Sequence, residues 1–368
     1  MRALEGVLSS DRVPHAIIFC GPSGVGKAMT ARQLAKVLLC DAPKKGRARQ
    51  AAPEPCNSCD QCRHVDRDSH PDLMWFRRPA GRAEFPINVV TRRDDSPDGQ
   101  TINESAQLTA MQARSRVTII EDAEQMNEEA ANAFLKTFEE APEGTYLILL
   151  VTGLDRLLPT IRSRGRLIRF AALPDEFVAE LLRRDADLSA ADARTLARFA
   201  EGSMERAASL ARSEFLKLHG EVMAALPNLN RSAALALADA IEAWAAEQAE
   251  SEAQLEAGES ATSKAKQRAT VEKNTLRRVY LKRALSMLGS VLQDALLTGL
   301  GVPGDTLRNA AAGAFVRRLA AAVPHDRLRK GVERFIEYET YVDRNVHTQL
   351  LVENACLELS DLMAPARS

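Results

Sequence analysis

Apolar and polar positions divide the chain into two regimes. Over about the first 170 residues, short apolar runs alternate with amphipathic stretches. His15 to Cys20 is an apolar run that ends at a glycine turn. Lys27 to Leu39 follows, with Ala31, Leu34, Ala35 and Leu38 spaced to share one helical face. Val117 to Ile120 reads as the next strand, and Asn127 to Glu140 as a helix with Asn127 at its N-cap. Tyr146 to Thr152 reads as a third strand, and Leu167 to Phe170 as a short one after a helical segment. This alternation predicts an α/β domain with a largely parallel sheet. Inside it, Arg77 to Gln100 carries Pro79, Gly81, Pro86, Pro97 and Gly99. It reads as a long exposed loop or hairpin with solvated arginines and no assigned chemistry.

After Pro174 the strand signals stop. Pro174 to Ser213 predicts a small helical domain, with Glu176–Arg183 and Ala190–Glu201 its clearest helices and Gly202 ending the second. Ala245 to Lys273 has few apolar anchors and is read as either a long exposed helix or a partly disordered insertion. Leu276–Leu300, Thr306–Ala322 and Arg327–Leu362 resume amphipathic helical periodicity. The expected fold class is α/β plus all-α, divided at 1–172, 173–213 and 214–368.

The length of 368 residues is more than one core organises. A formal net charge of -1 excludes a chain that is basic throughout, so any DNA contact is expected to be local or made by an assembly. No apolar run approaches the roughly 20 residues that span a bilayer. Met1 to Glu5 lacks the apolar stretch of a signal peptide, and a cytoplasmic location is expected. Three of the six cysteines crowd into Cys56, Cys59 and Cys62, which in a reducing compartment suggests metal binding rather than disulfides. Cys20 and Cys356 lie in apolar runs and are read as packed residues.

Gly21-Pro22-Ser23-Gly24-Val25-Gly26-Lys27 matches a P-loop up to its lysine, between a predicted strand and a predicted helix. Gly21, Gly24 and Gly26 let the backbone wrap phosphates, and Lys27 is expected to pair with the β- and γ-phosphates of ATP or ADP. The next position, where a Ser or Thr hydroxyl binds Mg²⁺, is Ala28. Thr30, two residues on, is not expected to point to the same place. Nucleotide binding is therefore expected with poor hydrolysis and a doubtful role for Mg²⁺. The strand ending at Ile120 is followed by Glu121 and Asp122, two carboxylates in the reverse of the usual Asp-Glu order. They are read either as a displaced metal and water pair or as caps of the following helix. About 1 Å of displacement can cost a hundredfold in rate.

Val13 to Phe19, Asn132 to Pro142, Leu158 to Arg164 and Arg344 to Glu353 together resemble bacterial DNA polymerase III clamp-loader subunits of the delta-prime and gamma/tau type. The resemblance implies an AAA+ domain, a helical lid and a C-terminal helical collar. It implies that Arg164, beside Ser163, is an arginine finger acting on ATP of a neighbouring subunit, where a guanidinium offsets charge on the transferred phosphoryl group. The family's cysteine after that arginine is Gly165 here. The resemblance makes Cys40, Cys56, Cys59 and Cys62 a structural Zn²⁺ module, Thr152 a polar sensor residue (a plain buried-edge threonine is the other reading), and Gly202 to Ala207 a second sensor segment. In that segment Glu205 stands where active relatives have arginine, with Arg206 one place along and turned by about 100° on a helix. Ala28, Glu121-Asp122 and Glu205 favour the delta-prime branch. The implied partners are gamma/tau and delta subunits, with the sliding clamp and primed DNA reached through the assembly. An active gamma-type ATPase and a zinc-containing nucleic-acid regulator are the competing readings. Arg162 and Arg164 as surface or DNA-facing charges is a further one.

Overall fold

Five parallel strands carry the first half of the chain. They are β1 (Ala16–Cys20), β2 (Leu73–Phe76), β3 (Arg116–Glu121), β4 (Thr145–Val151) and β5 (Arg166–Arg169), in the spatial order β2-β3-β4-β1-β5. The computed structural model describes residues 2–8, 13–43, 53–79, 82, 84–94, 96, 99–256, 263–344 and 347–363. Met1, Gly81, Pro97 and Asn345–Val346, and residues 257–262 of the weakly anchored stretch, lie outside the described residues.

β1 is apolar at every position because both faces of the sheet are covered, and all five of its residues are buried. Its side chains alternate between two cores. Ile17 and Phe19 join Ala31, Leu34 and Leu39 of α2 (Lys27–Leu39), with Val7 of α1 (Arg2–Leu8) and Val65 of α3 (Asp60–Asp66). Ile18 and Cys20 face Phe85, Val90 of α4 (Ile87–Val90), Ile102 of α5 (Ile102–Gln107), Phe134 and Phe138 of α6 (Glu128–Glu139), and Ile161 of α7 (Pro159–Arg164). This three-layer arrangement around a parallel sheet is the α/β class expected from the sequence. β1 sits between β4 and β5, so the connections diverge at its C-terminal end and open a crevice there.

Two expectations are corrected. β2 precedes β3, whereas the apolar pattern placed the second strand at Val117. The Arg77–Gln100 stretch is largely loop, one of the two forms expected, but it is not exposed throughout its described residues. It carries α4, and Phe85 and Val90 are wholly buried. Four of its five arginines are paired with acids: Arg77 with Glu121, Arg78 with Asp122, Arg92 with Glu104 and Arg93 with Glu129.

A buried staple secures the β2 edge. Asp72 accepts hydrogen bonds from the main-chain N–H groups of Met111, Gln112 and Ala113 at 2.7–2.9 Å and lies 3.4 Å from the buried Arg116. Burial alone would raise the Asp72 pKa. The three amides outweigh it and hold the carboxyl below its ordinary value.

The chain forms two compact units, Met1–Pro174 with Gly202–Glu205, and Asp175–Glu201 with Arg206–Ser368. The helices after Pro174 are α8 (Asp175–Asp185), α9 (Ala190–Ala200), α10 (Met204–Arg212), α11 (Phe215–Ala225), α12 (Arg231–Glu256), α13 (Ser263–Gly299), α14 (Gly313–Ala322), α15 (His325–Tyr341) and α16 (Thr348–Met363). In the second unit, α12 packs on α13 and α16, and α13 on α14 and α15. Ala245, Gln248 and Ala249 are buried, so α12 is anchored well into the stretch that lacked large apolar residues. The periodic segment Arg327–Leu362 is two helices rather than one. No described helix is long and apolar enough to cross a membrane.

Candidate nucleotide cleft and cysteine cluster

A cleft of about 460 Å³ opens at the C-terminal ends of β1, β3 and β4. It is lined by Ser23, Gly24, Gly26, Lys27, Ala28, Met29, Glu121, Asp122, Thr152 and Glu205, with Leu150 and Val151 behind. Gly24 and Gly26 adopt φ of 73° and 93°, the left-handed region that glycine enters without strain. Gly26 is the N-cap of α2 and supplies no side-chain cap, so the first-turn N–H groups stay available to an anion. Lys27 donates through Nζ to the carbonyls of Gly21 at 2.5 Å and Pro22 at 2.6 Å. Burial pushes its pKa down, and Glu124 leads the groups that oppose the shift.

The positions that would serve a divalent ion are occupied otherwise. Ala28 lines the cleft and has no hydroxyl. Thr30 Oγ1 donates to the Gly26 carbonyl at 2.8 Å, which removes it as a substitute. Arg77 Nε lies 3.0 Å from Glu121 Oε2, and Arg78 Nε lies 3.5 Å from Asp122 Oδ2. Asp122 begins the 3-10 turn Ala123–Gln125 but makes no side-chain cap bond, so it does not act as a cap.

A third acid, Glu124, was not legible in the sequence as a site residue. It is buried, and its Oε1 accepts from both Thr152 N at 2.9 Å and Thr152 Oγ1 at 2.5 Å. Its Oε2 is buried without a hydrogen-bond partner. Thr152 is thus tied to an acid of the β3 turn.

The turn at Gly202–Glu205 belongs to the same unit as the cleft. Met204 N donates to Gly24 O at 2.9 Å, and a side chain at Gly24 would collide with Ser203 Oγ. Glu205 lines the cleft. Arg206 belongs to the second unit, where it pairs with Glu201 at 2.5 Å.

Arg164 ends α7 and is not among the residues lining the cleft of its own chain. Its side chain is 45% exposed and pairs with Glu139 at 2.6 Å, a surface pair of the kind worth about 0–1 kcal/mol. Its Nη1 donates to the Thr160 carbonyl at 3.2 Å. Gly165 is forced by packing, since a Cβ there would lie 2.5 Å from Ile18 Cδ1 and 3.1 Å from Phe138.

Four cysteine sulfurs converge between α2 and α3. Sγ of Cys40, Cys56, Cys59 and Cys62 all lie within 4.8 Å of one another, with Cys40–Cys59 and Cys56–Cys62 at 3.9 Å. Zinc–sulfur bonds of about 2.3 Å in a tetrahedron place sulfurs about 3.8 Å apart, so the donor set fits such an ion. Main-chain N–H groups of Cys56, Cys59 and Cys62 point at the sulfurs of Cys40, Cys56 and Cys59 at 3.3–3.5 Å. Asn57, at φ 58°, makes the sharp turn that brings Cys56 and Cys59 together. Cys20 and Cys356 are packed, and burial pushes the Cys356 thiol up to about 12. His70 is engaged elsewhere, with its two ring nitrogens at Gln61 Oε1 and Asp72 N.

Residues 1–174 match the model of a family described as DNA polymerase III, delta subunit. The chain is similar to DNA polymerase III subunit delta' of Bacillus subtilis, 29% identical over 223 residues, which is 61% of this chain and 62% of the relative. It is 37% identical over 150 residues to subunit delta' of Pseudomonas aeruginosa, 41% of either chain. It is 31% identical over 251 residues to subunit tau of Escherichia coli, 66% of this chain and 36% of that one. In each case the alignment spans less than two thirds of the relative's own length.

Proposed function

We propose that this chain, similar to DNA polymerase III delta' and tau subunits, is a clamp-loader subunit of the delta-prime type. It assembles with gamma/tau-type and delta subunits, and the assembly loads a sliding clamp on primed DNA. Its own ATP turnover is weak or absent. Lys27 and the uncapped N–H groups of α2 hold ATP or ADP by its phosphates, and the residues that would place a metal for hydrolysis are missing or engaged.

The observation that carries this reading is the contrast between the two phosphate-directed parts. The cleft lacks the hydroxyl at Ala28, while Arg164 stands exposed on α7, outside its own cleft. A guanidinium in that position suits a neighbour's nucleotide, where a trans arginine is worth about 10³–10⁵ in rate. The lid (173–213) and collar (214–368) divisions belong to this proposal, with the collar joining the ring. So does a structural Zn²⁺ at Cys40, Cys56, Cys59 and Cys62, which would tie α2 to α3 beside the P-loop helix.

Mixing the chain with gamma/tau-type and delta subunits of its own organism tests the assembly. Co-elution of all three as one species, with negligible ATP turnover by the isolated chain, is the expected result. Turnover by the isolated chain at the rate of an ordinary AAA+ ATPase would point to the gamma-type reading instead.

A further inference from the structure

Mg²⁺ is the ion that a P-loop implies, and the residues of this cleft do not fit it. A hard cation needs oxygen ligands with free lone pairs in a near-octahedral set. Ala28 offers none, and the Thr30 hydroxyl is spent on the Gly26 carbonyl. Glu121 and Asp122 each already carry a cation from their own chain.

That pairing is built into the sheet. β2 and β3 run parallel in a register that sets Phe76 beside Ile120. Carried one and two residues on, this register brings Arg77 to Glu121 and Arg78 to Asp122, the pairs observed. Each arginine is further held. The Arg77 guanidinium lies 5.5 Å from the centre of the Trp75 ring, and Arg78 also donates to the Arg82 carbonyl. One exposed ion pair contributes little. Arg77 hydrogen-bonds Glu121, whereas Arg78 Nε makes no hydrogen bond and meets Asp122 as an ionic contact at 3.5 Å, so each acid faces one resident cation.

We propose that Arg77 and Arg78 are the resident counter-cations of this cleft, holding Glu121 and Asp122 in place of a divalent ion, so that the cleft binds nucleoside di- and triphosphates independently of Mg²⁺. The proposal rests on the nucleotide-binding reading of the P-loop and assigns it two residues and a metal requirement.

The test is calorimetric titration of the full chain with ADP and with ATP, once in excess Mg²⁺ and once in EDTA. The wild-type Kd is expected to agree between the two conditions within about threefold. Arg77→Ala/Arg78→Ala is expected to bind more tightly in Mg²⁺ than in EDTA by more than that margin, because its two acids are released. Wild-type binding about tenfold or more tighter in Mg²⁺ overturns the counter-cation proposal and leaves the nucleotide site standing. No binding in either condition overturns the P-loop reading and the proposal with it. A double variant that binds equally well in both conditions overturns the role of the two arginines. If the double variant does not fold, Arg77→Gln alone is read by the same criterion, and the wild-type comparison decides the metal requirement on its own.

Discussion

Thr152 donates twice to one oxygen of Glu124, from its main-chain N–H at 2.9 Å and from its hydroxyl at 2.5 Å. The pair links the end of β4, where Thr152 lines the cleft, to the turn after β3. Glu124 is 5% exposed and its other oxygen has no partner, so the two bonds are what stabilise a buried acid. Thr152→Val removes the hydroxyl and keeps the shape. It is expected to lower stability by about 1.5–3 kcal/mol, the range for a hydrogen bond to a charged group, read from urea denaturation.

Asp72 and Arg116 predict an acid-sensitive edge. Asp72→Ala leaves a buried guanidinium without its acid and is expected to cost about 3–5 kcal/mol. The sign with pH follows from the depressed Asp72 pKa. The folded state binds its proton less readily than the unfolded chain, so this contribution is complete above the ordinary Asp value of about 3.9. It is lost as pH falls through the lower folded value. Stability curves of wild type and Asp72→Asn should therefore converge in acid. Curves that stay parallel through that range would contradict the assignment.

The cysteine cluster predicts stoichiometric zinc. Protein purified without chelator should carry one zinc per chain by elemental analysis, and Cys59→Ser or Cys62→Ala should lose it. Because structural zinc binding is folding free energy, loss should lower the Tm of the first unit by about 5–10 °C. Full occupancy in both variants would rule out the four-cysteine site.

The packing at Gly165 predicts that a cysteine does not fit here. Its Cβ would press on Ile18 and Phe138, and overpacking costs about 1–3 kcal/mol. Gly165→Cys should be destabilised by that amount in thermal or urea unfolding. A neutral outcome would show that Ile18 swings aside.

The elements that follow from local pattern were legible in sequence. α2 begins at Lys27 and ends at Leu39 as the apolar spacing predicts, and Asn127 caps α6 through the Ala130 N–H. The four cysteines were legible because their spacing is local apart from Cys40. β2 escaped because Leu73–Phe76 is four residues long, half-buried throughout and without alternation. Phe85 and Val90 were hidden among prolines and charges, and only tertiary packing shows that they reach the core. Arg77 and Arg78 look like solvated charge until the β2–β3 register sets them against Glu121 and Asp122. Glu124 carried no signal beyond lying three residues after Glu121. Its role depends on β4 passing beside that turn.

The proposed role of Arg164 is to complete a neighbour's ATP site. The direct measurement is DNA- and clamp-stimulated ATP turnover by a complex of gamma/tau-type and delta subunits with this chain, as wild type or as Arg164→Ala. Assembly with both forms and turnover lower by about 10³-fold at the completed site with the variant is the predicted result. A trans arginine at only one of several sites shows in the steady state as loss of that site's share. Equal turnover from fully assembled wild-type and Arg164→Ala complexes would contradict the account and leave Arg164 a surface charge paired with Glu139.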